Sequence, residues 1–242
     1  MVQACHRNQR RRIIIIEQKG YIMKKLFSII TILVLSLSLF TGCGSKEKED
    51  GTSEAQTAAP ADTTESTESP DSGELMTGTH HVEIEVKDYG TISVELYADI
   101  APITVTNFIN LANDGFYDGL TFHRIMDGFM IQGGDPLGNG TGGSSQTITG
   151  EFSLNGYEEN NISHVRGTIS MARAQDYNSA SSQFFIVQSD STALDGQYAG
   201  FGTVTDGMDI VDQICKDAEP TDENGTISPD EQPIITSIKV ID

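Results

Sequence analysis

The stretch Thr121–Asp135, TFHRIMDGFMIQGGD, decides the reading of this chain. Arg124 stands inside an alternation of apolar residues, and Phe129, Met130 and Gln132 follow within eight positions. A guanidinium keeps its proton, so placing it among apolar groups costs free energy unless it is paired or used. Taken alone, Arg124 fits either a structural ion pair with one of the chain's many acids or a cation held at a functional cleft. Phe129 and Met130 fit either interior core or the wall of an apolar socket. Gln132 fits a site or an ordinary polar surface.

Working outward, Val82 to Val86 alternates apolar and polar residues, as a half-buried strand does. Tyr89-Gly90 reads as a turn, and Ile92 to Tyr97 alternates again, giving a hairpin. Ala101 to Asn113 places Val105, Phe108, Ile109 and Ala112 on one helix face, with Pro102 suited to the first turn. Further strands are predicted at Thr121–Met126, Phe129–Gly133, Gly167–Ala172, Gln183–Gln188, Gly200–Val204 and Ile234–Ile241. Gly207 to Lys216 reads as a second helix, with Ile210, Val211 and Ile214 on one side. Eight short strands and two helices without regular β-α-β alternation argue for a mainly β domain, an antiparallel sheet or barrel.

Two more segments join the opening one: Ser170 to Ile186, SMARAQDYNSASSQFFI, and Leu194 to Val204, LDGQYAGFGTV. Together the three resemble, in order, the signatures of the cyclophilins, the cyclosporin-binding family of peptidyl-prolyl cis-trans isomerases. The resemblance runs from about Val82 to Asp242. It implies a closed eight-stranded antiparallel β-barrel capped by two α-helices. It also implies rotation about X–Pro peptide bonds, whose barrier of about 18–20 kcal/mol comes from amide resonance. Uncatalysed exchange takes roughly 10–100 s at 25 °C. No bond is made or broken, so no nucleophile, metal or cofactor is implied. The enzyme needs only to favour the twisted amide over both planar forms.

Twisting localises the lone pair on the prolyl nitrogen, and the resemblance assigns Arg124 as the donor aimed there. Phe129, Met130, Phe185 and Leu194 match positions that line the proline socket. Gln132 and Gln183 match positions that orient the arginine and the peptide backbone. The main chain at Arg173 grips substrate, and its side chain can bring extra positive charge near the groove. Ala172 and Ala174 flank it as small groove walls. Tyr198 stands where family members often carry histidine, and Ala193 where they carry tryptophan, a residue this chain lacks altogether. Catalysis is expected to persist, with weak cyclosporin affinity. His123 belongs to the signature, but strand alternation points it away from Arg124's face, so it reads as structural.

The N-terminal third has a different character. Met23-Lys24-Lys25 precedes the apolar run LFSIITILVLSLSLF at 26–40, the layout of a secretion signal. The run falls short of the roughly 20 residues of a membrane span. Phe40-Thr41-Gly42-Cys43 resembles the lipobox of bacterial lipoproteins, in which the cysteine is lipidated after cleavage; two acyl chains give a stable anchor. Ordinary cleavage with release, or an uncleaved anchor, is the other reading. Residues 1–22, with Arg10-Arg11-Arg12 before Ile13 to Ile16, do not fit an n-region, so Met23 is read as the true start. Residues 43–78 read as the lipidated Cys43 and a disordered acidic Ser/Thr linker, too poor in apolar side chains to offset the entropy of ordering. As a flexible coil the linker spans about 30–35 Å. Residues 79–242 form the isomerase-like domain.

Seven of the 15 basic residues and one of the 35 acids precede Cys43, leaving 8 and 34, a formal −26. Such a surface repels phosphate backbones, which argues against a nucleic-acid partner; the acidity otherwise serves solubility. The three cysteines, Cys5, Cys43 and Cys215, form no pairing or zinc pattern, and Cys215 reads as a small core residue. The histidines show no metal-ligand spacing. Gly138-x-Gly140-x-x-Gly143 fits a dinucleotide pattern but lacks the strand before it and the helix after it. Asp222-Glu223-Asn224-Gly225 lacks EF-hand spacing and reads as a surface excursion.

The sequence therefore points to a monomeric, lipid-anchored isomerase outside the cytoplasm, acting on unfolded or loop-exposed X–Pro segments of exported proteins. Its first rival is a module that binds proline-containing peptides without turnover. The second is a ligand-binding barrel with a hollow interior.

Overall fold

The structure, a computed structural model, describes residues 74–242. The leader, the signal peptide, Cys43 and most of the linker lie outside the described residues. Among the described residues, no helix is long and apolar enough to cross a membrane. Met76 N donates to Thr106 Oγ1 (2.9 Å) and Gly78 N to Asp99 Oδ1 (2.7 Å), so residues just before Thr79 already contact the domain.

All eight predicted strands and both helices form, with ends shifted by up to three residues. The strands are β1 (Thr79–Val86), β2 (Gly90–Tyr97), β3 (Phe122–Met126), β4 (Met130–Gly133), β5 (Thr168–Met171), β6 (Phe184–Val187), β7 (Gly200–Asp206) and β8 (Ile235–Val240). The helices are α1 (Pro102–Asn113) and α2 (Met208–Asp217). In β1 and β2 the alternation works as read: Val82, Ile84, Val86, Ile92, Val94 and Leu96 are buried. The turn between them runs through Lys87-Asp88-Tyr89, with Asp88 in the left-handed region at φ 67°, which Asp tolerates better than most side chains.

Helix α1 buries Val105, Phe108, Ile109 and Ala112. Its N-cap, Ala101, has no side-chain acceptor, leaving first-turn N–H groups to be satisfied from elsewhere. The fully buried Glu151 does this from across the chain: Oε1 accepts from Ile103 N (2.9 Å) and Oε2 from Thr104 N (2.8 Å). A carboxylate here also meets the positive end of the helix dipole. Helix α2 buries Val211, Ile214 and the free thiol Cys215, which is a core residue as expected.

The strand order is β3-β4-β6-β5-β7-β2-β1-β8, every pair antiparallel. The sheet curls into a half-barrel with the two helices. A fully closed barrel is not what the ladders describe: β3 and β8 share no ladder among the described residues. Their approaches touch instead, through a bridge between Thr121 and Ile234 and the bonds Phe122 N to Pro233 O (2.9 Å) and Ile235 N to Leu120 O (2.7 Å).

The concave side is packed with rings. Phe108 lies 5.1 Å from Tyr117, 5.4 Å from Phe184 and 5.2 Å from Phe201, all fully buried. This filled interior disfavours the hollow ligand-binding barrel. A second, smaller apolar cluster of Met130, Phe185 and Val187 lies apart from it, with Met126, Phe129, Ala172, Leu194 and Tyr198 packed around it.

Candidate active site

Strands β4 and β6 make the separation. On β6 the side chains of Phe184 and Ile186 join the core, while Phe185 and Val187 join the second cluster. On β4, Ile131 goes to the core and Met130 to the second cluster. Period-two alternation on two paired strands thus gives the sheet an apolar floor on its outer face.

Above that floor is a cleft of about 310 Å³. Arg124, Phe129, Met130, Phe185, Leu194 and Tyr198 line it. A second pocket of about 300 Å³ shares Gln132, Ala172 and Arg173 with the first and adds Ala174 and Gln183. Every residue assigned to catalysis or substrate binding from the sequence therefore lines one of two adjoining pockets. A larger cavity of about 770 Å³ beside α2 and the β1–β2 turn contains none of them; its acidic wall includes Asp88, Asp209 and Asp217.

Arg124 is half-buried and makes no ion pair among the described residues, so the structural-pair alternative is not what the chain builds. Its guanidinium is fixed by uncharged partners. Nε donates to Asn224 O (2.7 Å), Nη1 to Gln132 Oε1 (3.1 Å), and Nη2 approaches Met126 Sδ (3.2 Å). The cation also lies 5.9 Å from the Phe129 ring centre. Burial draws its pKa below the ordinary arginine value, while Tyr198 and Asp222 oppose that; it remains a cation at neutral pH.

The two glutamines relay this arrangement. Gln132 Nε2 donates to Gln183 Oε1 (2.9 Å), and Gln183 Nε2 donates to Gly142 O (2.7 Å) and Gly140 O (3.2 Å). Because Gln132 Oε1 faces a donor-only guanidinium, only one orientation of each amide satisfies the chain of bonds. The glycine pattern at 138–143 belongs to the loop that ends this relay. Asp135 organises that loop, its carboxylate accepting from Leu137 N (2.8 Å), Asn139 N (3.1 Å) and Gly140 N (2.6 Å). Burial would raise the Asp135 pKa, but these backbone donors hold it below the usual value.

Sequence reasoning missed three features. Asn224 is the first. The loop around it runs along the edge of β3 through Ile125 N to Gly225 O (2.8 Å) and Ile227 N to His123 O (3.0 Å). Gly225 sits at φ +84°, and a Cβ there would meet Met126 Cγ at 2.4 Å and Ile125 O at 2.6 Å, so only glycine allows this approach. The anchor for Arg124 is a main-chain carbonyl, which no side-chain motif announces.

His123 is the second. Strand alternation predicted that it turns away from Arg124, yet both line the same cleft. The cause is an irregularity in β3: its register against β4 shifts between Phe122 and Arg124, which breaks the period of two. His123 is buried, and neither ring nitrogen has a hydrogen-bond partner among the described residues. Burial lowers its pKa; Asp135 opposes this and Arg124 adds to it.

The third lies behind Phe185. His164 stacks on that ring at 6.0 Å and 18°. Its Nδ1 meets Asp195 Oδ1 and its Nε2 meets Ser170 Oγ, each at 3.0 Å. Burial lowers the His164 pKa, with Asp195 opposing. The Asp-His-Ser connectivity is that of a nucleophile triad, but His164 and Ser170 are fully buried, so no substrate carbonyl reaches the hydroxyl. It is a polar support beneath the apolar floor.

Arg173 lines both pockets, so its charge does stand near the groove, and its guanidinium packs among aromatic rings, 4.7 Å from the ring centre of Tyr198.

Comparison with known proteins agrees with the geometry. The family profile described as "Cyclophilin type peptidyl-prolyl cis-trans isomerase/CLD" matches residues 81–240. The protein named "Peptidyl-prolyl cis-trans isomerase B" of Bacillus subtilis is 48% identical over 125 residues, covering 52% of this chain and 83% of that protein. A crystal structure of a Cryptosporidium parvum cyclophilin type peptidyl-prolyl cis-trans isomerase superposes with a TM-score of 0.60 at 32% identity, covering 68% of this chain and 99% of that one. The same protein in the presence of the dipeptide Ala-Pro gives 0.58 at 33% identity, covering 67% and 99%. With its profile match, its curated relative and its cleft in accord, this chain belongs to the cyclophilin-type peptidyl-prolyl cis-trans isomerases.

Proposed function

We propose that this isomerase accelerates rotation of X–Pro bonds in exported proteins and assists their folding outside the cytoplasm. The observation that carries the catalytic part is Arg124: a cation with no acid partner among the described residues, aimed by neutral acceptors over an apolar floor. The floor takes the proline ring. The main chain near Arg173 and the side chain of Gln183 hold the peptide on either side. A guanidinium N–H directed at the prolyl nitrogen stabilises the amide only once it has twisted and its lone pair is localised. Because the donor is already positioned, little reorganisation is needed as the bond turns. The Cryptosporidium parvum protein's structure in the presence of the dipeptide Ala-Pro supports reading the cleft as a proline-peptide site. Family membership likewise supports reading the curled sheet as a barrel closed at the Thr121–Ile234 contact.

An isomerisation assay on the purified protein tests this. Arg124→Ala should lower kcat/KM about 10²–10³-fold, as losing one preorganised donor does elsewhere, with the fold intact. Equal rates for wild type and variant would remove the catalytic reading. Exposed Ala193 at the rim and Tyr198 at the wall favour a second reading, a peptide-binding module with little turnover; that reading predicts peptide affinity without rate acceleration. The same short Ala193 supports weak cyclosporin affinity, and nanomolar inhibition of the wild type would contradict it.

Location rests on the lipoprotein signal peptide at 23–42 and on Cys43. The protein is held at the outer face of the bacterial cell membrane by lipid on Cys43, acts as a monomer, and reaches clients through its linker. Labelled fatty acid should enter the wild-type protein and not Cys43→Ala. Labelling of both would overturn the anchor.

A further inference from the structure

Arg173 is a cation with an unusual setting. The chain is strongly acidic, yet Arg173 makes no ion pair among the described residues. Its guanidinium carbon lies 4.7 Å from the ring centre of Tyr198, 4.9 Å from Tyr177 and 5.1 Å from Phe152. Its nitrogens are used on main-chain carbonyls: Nε and Nη2 donate to Gln197 O (3.1 and 2.8 Å), and Nη1 donates to Ala174 O (2.9 Å). A planar cation with donors at its rim and rings on its faces suits arginine and not lysine.

The contacts lead to the socket. Tyr198 sets its ring edge-on to Phe185, 5.8 Å between centres at 88°. Gln197, whose carbonyl Arg173 holds, reaches back with its own amide to Ala193 O (2.5 Å), so the whole 193–198 turn is tied together. That turn carries Leu194 and Tyr198, two walls of the cleft, and the short, exposed side chain of Ala193. Nothing bulky at position 193 braces Tyr198. The brace comes from the other side.

We infer that Arg173 is a positioning residue for substrate: by gripping the 193–198 turn inside the box of Phe152, Tyr177 and Tyr198, it fixes the Tyr198 wall of the proline socket. This rests on the isomerase reading above and adds a residue that acts on ground-state binding through Tyr198 and not by its charge on the substrate. Loss of the brace loosens a wall that the planar and twisted forms both contact, so KM moves and kcat does not.

Kinetics on the full-length protein with an Ala-Pro peptide decide the matter. Arg173→Lys should raise KM about tenfold and Arg173→Ala by the same factor, with kcat within about twofold of wild type, because charge without a stacked plane cannot hold the box. Tyr177→Leu alters an exposed ring that lines neither pocket, and should raise KM about threefold without changing Tm. Adding Arg173→Ala to Tyr198→Leu should cost nothing further. Wild-type KM in Arg173→Lys, an unchanged KM in Tyr177→Leu, or additive losses in the double variant would each overturn the proposal. Peptide dissociation constants, measured by titration on the same variants, separate this from the broader reading. A wild type that binds peptide without turnover defeats the isomerase reading, while its Kd ratios still decide the role of Arg173.

Discussion

Phe184 and Phe185 are neighbours on one strand and belong to different parts of the molecule. Phe184 is fully buried against Phe108, Tyr117 and Phe122, with ring centres 5.4, 5.7 and 6.1 Å away. Phe185, 5% exposed, floors the cleft beneath Tyr198 and rests on His164. One face of β6 packs the core and the other floors the cleft. The same residue type, one position apart, does two jobs because the strand's alternation sends it into two environments. Local chemistry does not distinguish them; topology does.

The contrast can be broken by truncating each ring. Phe184→Ala should destabilise the domain by about 3–5 kcal/mol, the range for a fully packed ring, and a melt monitored by circular dichroism should show the loss. Glu151→Gln works on the core side without touching a ring. It leaves an amide facing one of two helix N–H groups and removes charge from the α1 dipole, which should cost about 2 kcal/mol in a denaturant titration. Phe185→Ala should show its main effect on the other face, a KM raised about tenfold with a smaller change in Tm. If Phe184→Ala and Phe185→Ala lowered Tm equally and left KM alike, the two-face description would be wrong.

The smallest effect concerns pH. His164 and His123 are both held below their usual pKa by burial. A depressed histidine pKa means that the unfolded chain takes up the proton first. Their contribution to stability is therefore complete above about pH 6.5 and lost progressively as pH falls below it. Tm should decline between pH 7.5 and 5.5, and His123→Gln should flatten part of that slope. A Tm that rises over this interval would contradict the sign.

Much of this was legible in the sequence, and the reasons differ by residue. The alternation at Val82, Ile84 and Val86 and the helix face at Val105, Phe108 and Ile109 are local, and they gave the elements directly. The socket residues were legible because three ordered motifs carried them in register. What escaped reading was of three physical kinds. Glu151 caps a helix 47 and 48 positions earlier in the chain, and the carboxylate shows no sign of where its partners are. His123 turned with Arg124 because an irregularity in β3 shifts the phase of the strand. Arg173 was legible as positive charge near the groove, but the rings that enclose it come from three separate loops, an arrangement that exists only after folding.

Arg124 donates to the carbonyl of Asn224, 100 positions further on, across a loop that only Gly225 lets approach. The residues of the floor and both glutamines have been synthesised by residue 187, well before the ribosome reaches that anchor. A nascent chain thus has a seat for proline before it has a steady hand above it. We expect activity on refolding to lag the burial of Phe184, returning only when the last quarter of the polypeptide has docked; rate recovery in step with core burial would show that the arginine finds its aim unaided.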